Sequence, residues 1–522
     1  MSWNHFWNLD SLAAHIRGSW IAMPSKLLRT ARLNGLSTDS RAVEAGQVFL
    51  ALKGEKFDGH EFLAQAIARG AAALIVSDAQ AWHKVRDARG AERVAVVLVQ
   101  DTALALLDLA GSYRRSLSAK FVGVGGSNGK TSTVRLLFAA LAGQPSPSLR
   151  THSSQRSFNN SVGVPITVLG APADSECVIC ELGTNAPGEL SPLSELVEPD
   201  LAIITSLGRE HLEGLGSIEG VAREEASLIR GVRDGGTVVL NADSPELLAA
   251  AAEEVDRAAK AGRRVNIITF GNAASADIRV SDVKQSLSGT TFTVTSRVAG
   301  QAQRAEFSIP LLGAHNASNA TGAIAIARLL GLQDNEIARG LANTTPAPMR
   351  LQRIDVQTQT GPIRFVNDAY NANPESMIAA FATFAEVTKS LAGGVSGRGV
   401  VVLGDMLELG SNGPTLHREV IAALLKTGVA SDIYLVGPIW KSTWESYSPA
   451  PATVNVTLIG SLAGQGGMSG ADQIARALKP GDCVLLKGSR SMGLERVLAS
   501  AQRLFTSPSV ELKPDAVPVA RS

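Results

Sequence analysis

Apolar residues along the chain fall into two patterns. Short unbroken runs alternate with longer stretches in which apolar positions recur every three or four residues. Runs of the first kind, Val48–Leu52, Ala72–Val76 and Val94–Val99, read as strands, with Glu61–Ala68 and Ala103–Tyr113 as helices beside them. They predict a small α/β unit over residues 1–118. A second unit, 119–343, opens with strand Phe121–Val124 and helix Thr131–Leu141. Strands Cys177–Cys180, Leu201–Thr205 and Thr237–Leu240 follow. Strand–helix alternation predicts a parallel, doubly wound sheet. From Val265 to Pro310 the period shortens to two, as in Thr290-Thr-Phe-Thr-Val-Thr295, which predicts an antiparallel extension. Helix Asn316–Leu330 closes this unit. Thr344–Pro348 reads as a linker. Strands Ile363–Val366, Val400–Leu403, Ile433–Val436 and Cys483–Leu486 then define a Rossmann-like unit over 344–506. The Pro-rich, polar residues 507–522 are expected to be disordered. The predicted fold class is thus α/β in three domains.

Length and charge narrow the function. The 522 residues suggest three or four domains at about 150 residues each. Lys and Arg number 49 against 48 Asp and Glu, a formal charge of +1, so nothing electrostatic points to nucleic acid or an anionic membrane. No apolar run approaches the ~18 residues of a membrane helix, which argues against membrane insertion. Residues Met1–Asp10 lack the basic and apolar regions of a secretory signal. Three cysteines fit a reducing compartment rather than a disulfide scaffold. Cys177 and Cys180 form a C-x-x-C, but odd spacing on a strand turns the thiols to opposite faces, as expected of two buried apolar groups.

The most specific motif is Gly125-Gly-Ser-Asn-Gly-Lys-Thr-Ser132, between a predicted strand and a predicted helix. That is the setting of a phosphate-binding loop. Gly125, Gly126, Ser127, Asn128 and Gly129 would curl their backbone around phosphate, and the helix N-terminus adds positive potential. Lys130 would reach the β- and γ-phosphates, the Thr131 hydroxyl would bind Mg²⁺, and Ser132 completes the motif. Val124 stands where the general pattern has glycine, so the loop matches a shortened G-x-x-G-K-T form. Glu181 and His211 follow two further strands of the same sheet. The C-terminal ends of parallel strands share one edge, so both are expected to converge on the loop and help hold a metal.

Together these segments resemble the Mur ligase family, from about Thr38 to Arg490. The resemblance is carried by Thr38-Asp-Ser-Arg41 with 46–58, by the phosphate loop and by Phe158-Asn-Asn-Ser-Val-Gly-Val-Pro165. Glu181-Leu-Gly-Thr-Asn185, His211-Leu-Glu-Gly214 and Gly313-Ala-His-Asn-Ala-Ser-Asn319 extend it. Asn367-Asp-Ala-Tyr-Asn-Ala-Asn-Pro374, Gly404-Asp-Met-Leu-Glu-Leu-Gly410 and Lys487-Gly-Ser-Arg490 complete it. It implies a UDP-binding N-terminal domain, a central ATP-binding domain and a C-terminal domain that closes on the nucleotide. It also implies a monomer in a bacterial cytoplasm. The Asp-Ala-Tyr-Asn-Ala-Asn-Pro and Lys-Gly-Ser-Arg segments favour the member that joins D-alanyl-D-alanine to UDP-MurNAc-tripeptide. A sibling adding the third amino acid, folylpolyglutamate synthase and a nucleotide-binding homologue without ligase activity stay open.

Carried over by residue, the resemblance assigns Ser40 and Arg41 to the uridine diphosphate. Asn159 and Asn160 go to the muramoyl substrate, Thr184 and Asn185 are assigned to substrate without further distinction, and Lys487, Ser489 and Arg490 go to the dipeptide. Asn316 is assigned to adenine, Asp368 to ribose, and Arg350, Tyr370 and Asn371 to the nucleotide. Thr131 and Glu181 would bind one Mg²⁺ and His211 a second. One position departs from the family, whose members usually place a lysine, carbamylated by CO₂, after the histidine motif. Here Gly220-Val-Ala-Arg-Glu-Glu-Ala-Ser-Leu-Ile229 puts Glu225 there. A carboxylate could supply the same charge to the second Mg²⁺ without CO₂, although its reach is shorter by about 3–4 Å.

Overall fold

The apolar runs become the strands of three sheets. A computed structural model of the chain describes residues 6–23, 32–54, 57–143, 148–154, 157–298, 301–391, 397–447, 454–464 and 468–505. The tail 507–522 lies outside the described residues. The chain divides into two compact units, Met1–Thr345 and Pro346–Ser522, with the boundary inside the anticipated linker.

The first sheet runs β1 (Ser19–Ala22), β5 (Ala95–Leu98), β4 (Ala73–Val76), β3 (Val48–Leu50), β2 (Leu36–Ser37). Only β1 is antiparallel to its neighbour. β3 and β4 are buried on both faces, which is why they read as unbroken apolar runs. β1 and β2 are partly exposed edge strands and give no such signal.

The second sheet has nine strands: β6 (Lys120–Gly125), β7 (Thr151–Ser153), β8 (Cys177–Glu181), β9 (Leu201–Ile204), β10 (Thr237–Asn241), β11 (Asn266–Gly271), β12 (Ile278–Ser286), β13 (Gly289–Val298) and β14 (Gln301–Ile309). Their order is β14-β13-β12-β11-β10-β9-β6-β8-β7. The pairings from β7 to β12 are parallel, and β12 to β14 form the antiparallel meander that the two-residue period predicts. Cys180 packs in one core with Phe121, and Cys177 in another with Val122 and Phe270, so the thiols do face opposite ways. Burial pushes both up to about 12, leaving them as apolar core groups.

The first two sheets share one compact unit because they share a core. Helix Thr102–Ser116 contributes Leu106, Leu109 and Tyr113 to an apolar cluster that holds Ile75 and Val97 together with Phe121, Val168 and Leu193. From the same helix, buried Arg114 donates from Nε to Val197 O at 2.5 Å and from Nη2 to Glu198 O at 2.8 Å. Its guanidinium lies over the Phe121 ring at 3.8 Å.

The third sheet runs β15 (Gln352–Val356), β16 (Ile363–Asp368), β20 (Cys483–Lys487), β17 (Gly399–Gly404), β18 (Asp432–Val436), β19 (Asn455–Ile459). It is parallel except at β15, an edge strand. The second and third sheets each bring functional segments to the C-terminal ends of their parallel strands.

Candidate active site

Strand register assembles the site of the first unit. In the β6–β8 pair, Val124 stands opposite Glu181, which brings the carboxylate to the strand end where the phosphate loop begins. The loop leads directly into helix Lys130–Leu141. Gly126 and Gly129 have φ of +112° and +92°, the left-handed region that glycine tolerates. Space demands glycine too. A Cβ on Gly126 would lie 2.3 Å from Thr205 Oγ1, and one on Gly129 would lie 2.6 Å from Asn319 Oδ1.

The outer limb of the loop is tied to the scaffold. Ser127 N donates to Ser206 O at 2.8 Å, and the Thr205 hydroxyl donates to Asn128 O at 2.6 Å. Gly126 N donates to Glu225 Oε2 at 2.6 Å. Lys130 Nζ turns back to donate to the Gly126 carbonyl, and to Ser127 O at 3.2 Å, with Glu210 3.9 Å away.

At the helix end of the loop, Thr131 Oγ1 donates to Glu181 Oε2 at 2.9 Å. Its one proton is thereby used, so the 2.9 Å contact with Ser157 is a bond donated by the serine. Asn159 Nδ2 donates to Glu181 Oε1 at 3.1 Å. A hydroxyl and a carboxylate beside a phosphate loop are hard oxygen donors of the kind Mg²⁺ takes alongside substrate phosphates and water. The Thr131–Glu181 pair therefore fits one such ion.

Glu225 is turned to the loop backbone, and His211 follows β9. His211, at φ +51°, precedes the short helix Leu212–Leu215, and its carbonyl accepts from Gly214 N and Leu215 N. Glu225 is 2 % exposed, with its carboxylate on the Gly126 amide. Burial foremost pushes its pKa up to about 7, opposed by Lys130 and the Gly126 N–H and reinforced by Glu210 and Glu224. Among the described residues no three His, Cys, Asp or Glu side chains gather as a metal-binding group.

The remaining substrate candidates divide between inward and outward positions. Ser40 is buried and donates to Gln65 Oε1 at 2.7 Å. Arg41 points outward and holds Asp39 through two bonds of 2.9 and 2.8 Å, which bring that carboxylate down to about 2. Asn160 Oδ1 accepts from Val162 N and Gly163 N, at the start of helix Gly163–Leu169. Asn185 N donates to Glu189, and the Thr184 hydroxyl lies 2.8 Å from Ala186 O. Asn316 Nδ2 donates to Leu312 O at 2.7 Å, and its Oδ1 accepts from Asn319 at 3.3 Å.

In the second unit the Arg350 guanidinium lies 4.2 Å above the Tyr370 ring centre. Its neighbours Met349 and Leu351 both have positive φ, +58° and +46°. Leu351 N donates to Asp368 Oδ1 at 3.0 Å, and Tyr370 N to Met349 O at 3.2 Å. Lys487 pairs with Asp368 at 2.6 Å and donates to Asn371 O at 3.0 Å. Ser489 is buried and accepts from Leu407 N at 2.9 Å. Arg490 is exposed and bonded to Glu495.

Several contributors escape sequence reasoning. Thr205 and Ser206 look like an ordinary strand end. Glu224 reads as a surface acid but is buried, accepting from Gly188 N at 2.8 Å and Leu190 N at 2.9 Å. It thereby fixes the start of helix Leu190–Val197 and the loop that carries Thr184 and Asn185.

A phosphate loop at the carboxyl edge of a mainly parallel sheet, with hydroxyl and carboxylate donors beside it, defines a nucleotide-binding α/β protein. Family comparison makes this specific. Three profiles match in order: the Mur ligase family catalytic domain at residues 32–114, the Mur ligase middle domain at 124–327, and the Mur ligase glutamate ligase domain at 349–490. The chain belongs to the Mur ligase family. It is 38% identical to a Bacillus subtilis protein over 75% of this chain and 78% of that one, and 31% identical to an Escherichia coli protein over 90% and 94%. Both relatives are named UDP-N-acetylmuramoyl-tripeptide–D-alanyl-D-alanine ligase. The crystal structure of MurF from Acinetobacter baumannii matches with a TM-score of 0.77 and 27% identity, covering 95% of this chain and 99% of that one.

Proposed function

We propose that this chain is an ATP-dependent, ADP-forming ligase that joins D-alanyl-D-alanine to UDP-MurNAc-tripeptide in peptidoglycan precursor synthesis. The observation that carries this is similarity to ligases of that name along nearly the whole chain, with an intact Lys130, Thr131 and Glu181 at the phosphate loop.

The terminal carboxylate of the UDP-linked peptide attacks the γ-phosphate of ATP, releasing ADP and leaving an acyl phosphate. The amine of the dipeptide attacks that carbonyl, and the tetrahedral intermediate collapses to amide and phosphate. No side-chain nucleophile is needed. Lys130 exchanges its loop carbonyls for phosphate oxygens and neutralises the developing charge. Thr131 and Glu181 would hold a Mg²⁺, which supplies charge neutralisation at the phosphates when bound. Asn159 orients that carboxylate through its bond to Glu181, and its role toward the muramoyl substrate rests on the family resemblance. The roles of Arg350, Asp368, Tyr370 and Asn371 toward ATP, of His211 toward a second ion, and of Ser40, Arg41 and Asn160 toward the UDP-sugar rest on the family resemblance.

The deciding experiment is phosphate release from ATP with Mg²⁺, UDP-MurNAc-tripeptide and D-alanyl-D-alanine, omitting each in turn. Release that needs both substrates, with UDP-MurNAc-pentapeptide found by mass, supports the reading. Release indifferent to the dipeptide overturns it.

A further inference from the structure

Gly126 is gripped at both ends by opposite charges. Its N–H donates to Glu225 Oε2 at 2.6 Å, and its carbonyl accepts from Lys130 Nζ. The residue sits at φ +112°, against Thr205, with no room for a side chain. The N–H groups of the outer limb, Gly126 and Ser127, are bonded to the scaffold, whereas the helix start at Lys130 and Thr131 forms the inner limb. Glu225 anchors the outer limb with a charged side chain that arrives from 99 residues away.

The helix that carries it is itself fixed. Glu224, the preceding residue, holds Gly188 N and Leu190 N, so Ile218–Ala226 ties two loops of the same sheet edge together. Fit at the loop is close: a Cβ on Gly125 would come within 3.2 Å of Glu225 Oε2.

We propose that Glu225 is a positioning residue that sets the phosphate loop through the Gly126 N–H, a role distinct from holding a metal ion. The proposal rests on the ligase reading only in taking ADP as the loop's ligand. A charged acceptor on a buried amide is among the stronger hydrogen bonds. It holds the loop in its phosphate-ready shape before nucleotide arrives, which lowers the ordering penalty of binding.

The test is calorimetric binding of ADP to the full chain in EDTA and again across a Mg²⁺ titration, with thermal unfolding alongside. Glu225→Ala removes the acceptor. Glu225→Asp keeps the charge but withdraws it by about 1.5 Å. Glu225→Gln keeps an acceptor of the same length without charge. The expected result is about tenfold weaker ADP binding in EDTA for the Ala and Asp variants. The Gln variant, which keeps a neutral acceptor, should fall between, about three- to fivefold weaker than wild type, and all should need the same Mg²⁺. Should the Ala variant fail to fold, the Asp and Gln variants carry the comparison. Unchanged ADP binding in EDTA, with a raised Mg²⁺ requirement in the Gln variant, would make Glu225 a metal ligand and overturn the proposal. A wild-type chain that binds no ADP would overturn the ligase reading and the proposal with it, and is told apart by that control.

Discussion

Asp368 and Lys487 close a 2.6 Å ion pair across the ends of two adjacent parallel strands. Register places them there: the β16–β20 pairing sets Asp368 directly opposite Lys487. The lysine side chain is only 3 % exposed, and its second bond, to Asn371 O, anchors the segment after β16. Asp368 in turn accepts from Leu351 N, beside Arg350. Lys487 therefore holds the Asp368–Asn371 segment in place.

Removing one partner of a buried pair leaves the other charge uncompensated. Lys487→Met is expected to destabilise the C-terminal unit by about 3 kcal/mol in chemical denaturation. The double variant Lys487→Met with Asp368→Asn should recover most of that. In steady-state turnover, Lys487→Met should raise KM for ATP more than KM for D-alanyl-D-alanine. A selective rise for the dipeptide would return Lys487 to the dipeptide site.

Gly126 allows a prediction with an internal control. Gly126→Ala brings a Cβ onto Thr205 at 2.3 Å in a strained backbone region and should weaken ADP binding at least a hundredfold, on the order of 3 kcal/mol. Gly262 also has positive φ, +78°, but no atom lies within 4 Å of where its Cβ would stand. Gly262→Ala should therefore cost only about 1 kcal/mol of stability and leave ADP binding unchanged. Equal loss of binding in both variants would show that strain, not the Thr205 contact, decides.

How far the sequence could be read depends on where each interaction partner lies. The phosphate loop was legible because its glycines, lysine and threonine are contiguous and flanked by a buried strand and a helix. The β12–β14 meander was legible because the period of two is local. β1 and β7 were not, since short, partly exposed edge strands carry no apolar run. The first two expected domains merge into one compact unit through Arg114 and the Leu106 core, contacts that span long separations. Orientation was the least legible property. Ser40 and Arg41 are adjacent in sequence yet face opposite ways. Glu225 was singled out by its position, but its acceptor role toward a backbone amide could not be inferred from residue type.

Thr131 and Glu181 share a hydrogen bond that an isosteric change can remove. Thr131→Val keeps the volume of a side chain that is 9 % exposed and deletes its oxygen. Glu181 keeps its bond from Asn159, so folding should survive with a loss of about 1–2 kcal/mol. Ligase turnover should fall by about two to three orders of magnitude, in line with the loss of a group acting at the transferring phosphate. Phosphate release and urea unfolding measured on one preparation check both halves. Turnover within about threefold of wild type would remove Thr131 from the reaction.

His417 gives the C-terminal unit a pH dependence. It is fully buried, its Nε2 accepts from Met406 N at 3.0 Å, and its Nδ1 donates to Gly413 O at 2.7 Å. Nε2 therefore has no room for a proton. Burial pulls its pKa down to about 4, although Asp405 stands 4.0 Å away. That carboxylate is itself turned to Ile439 N and Trp440 N, at the start of helix Pro438–Glu445. Because the folded value lies below 6.5, the unfolded chain binds the proton first as pH falls. The contribution is full above pH 6.5 and is lost progressively toward pH 4, amounting to about 3 kcal/mol in all. Thermal unfolding of the full chain followed from pH 7 to pH 4 should show this loss. Glu or Asp titration elsewhere adds its own slope, so the comparison is with His417→Gln. That variant starts less stable, having lost one of the two ring bonds, but falls less steeply between pH 6.5 and 4. Parallel curves for the two proteins would show that His417 is not the group responsible.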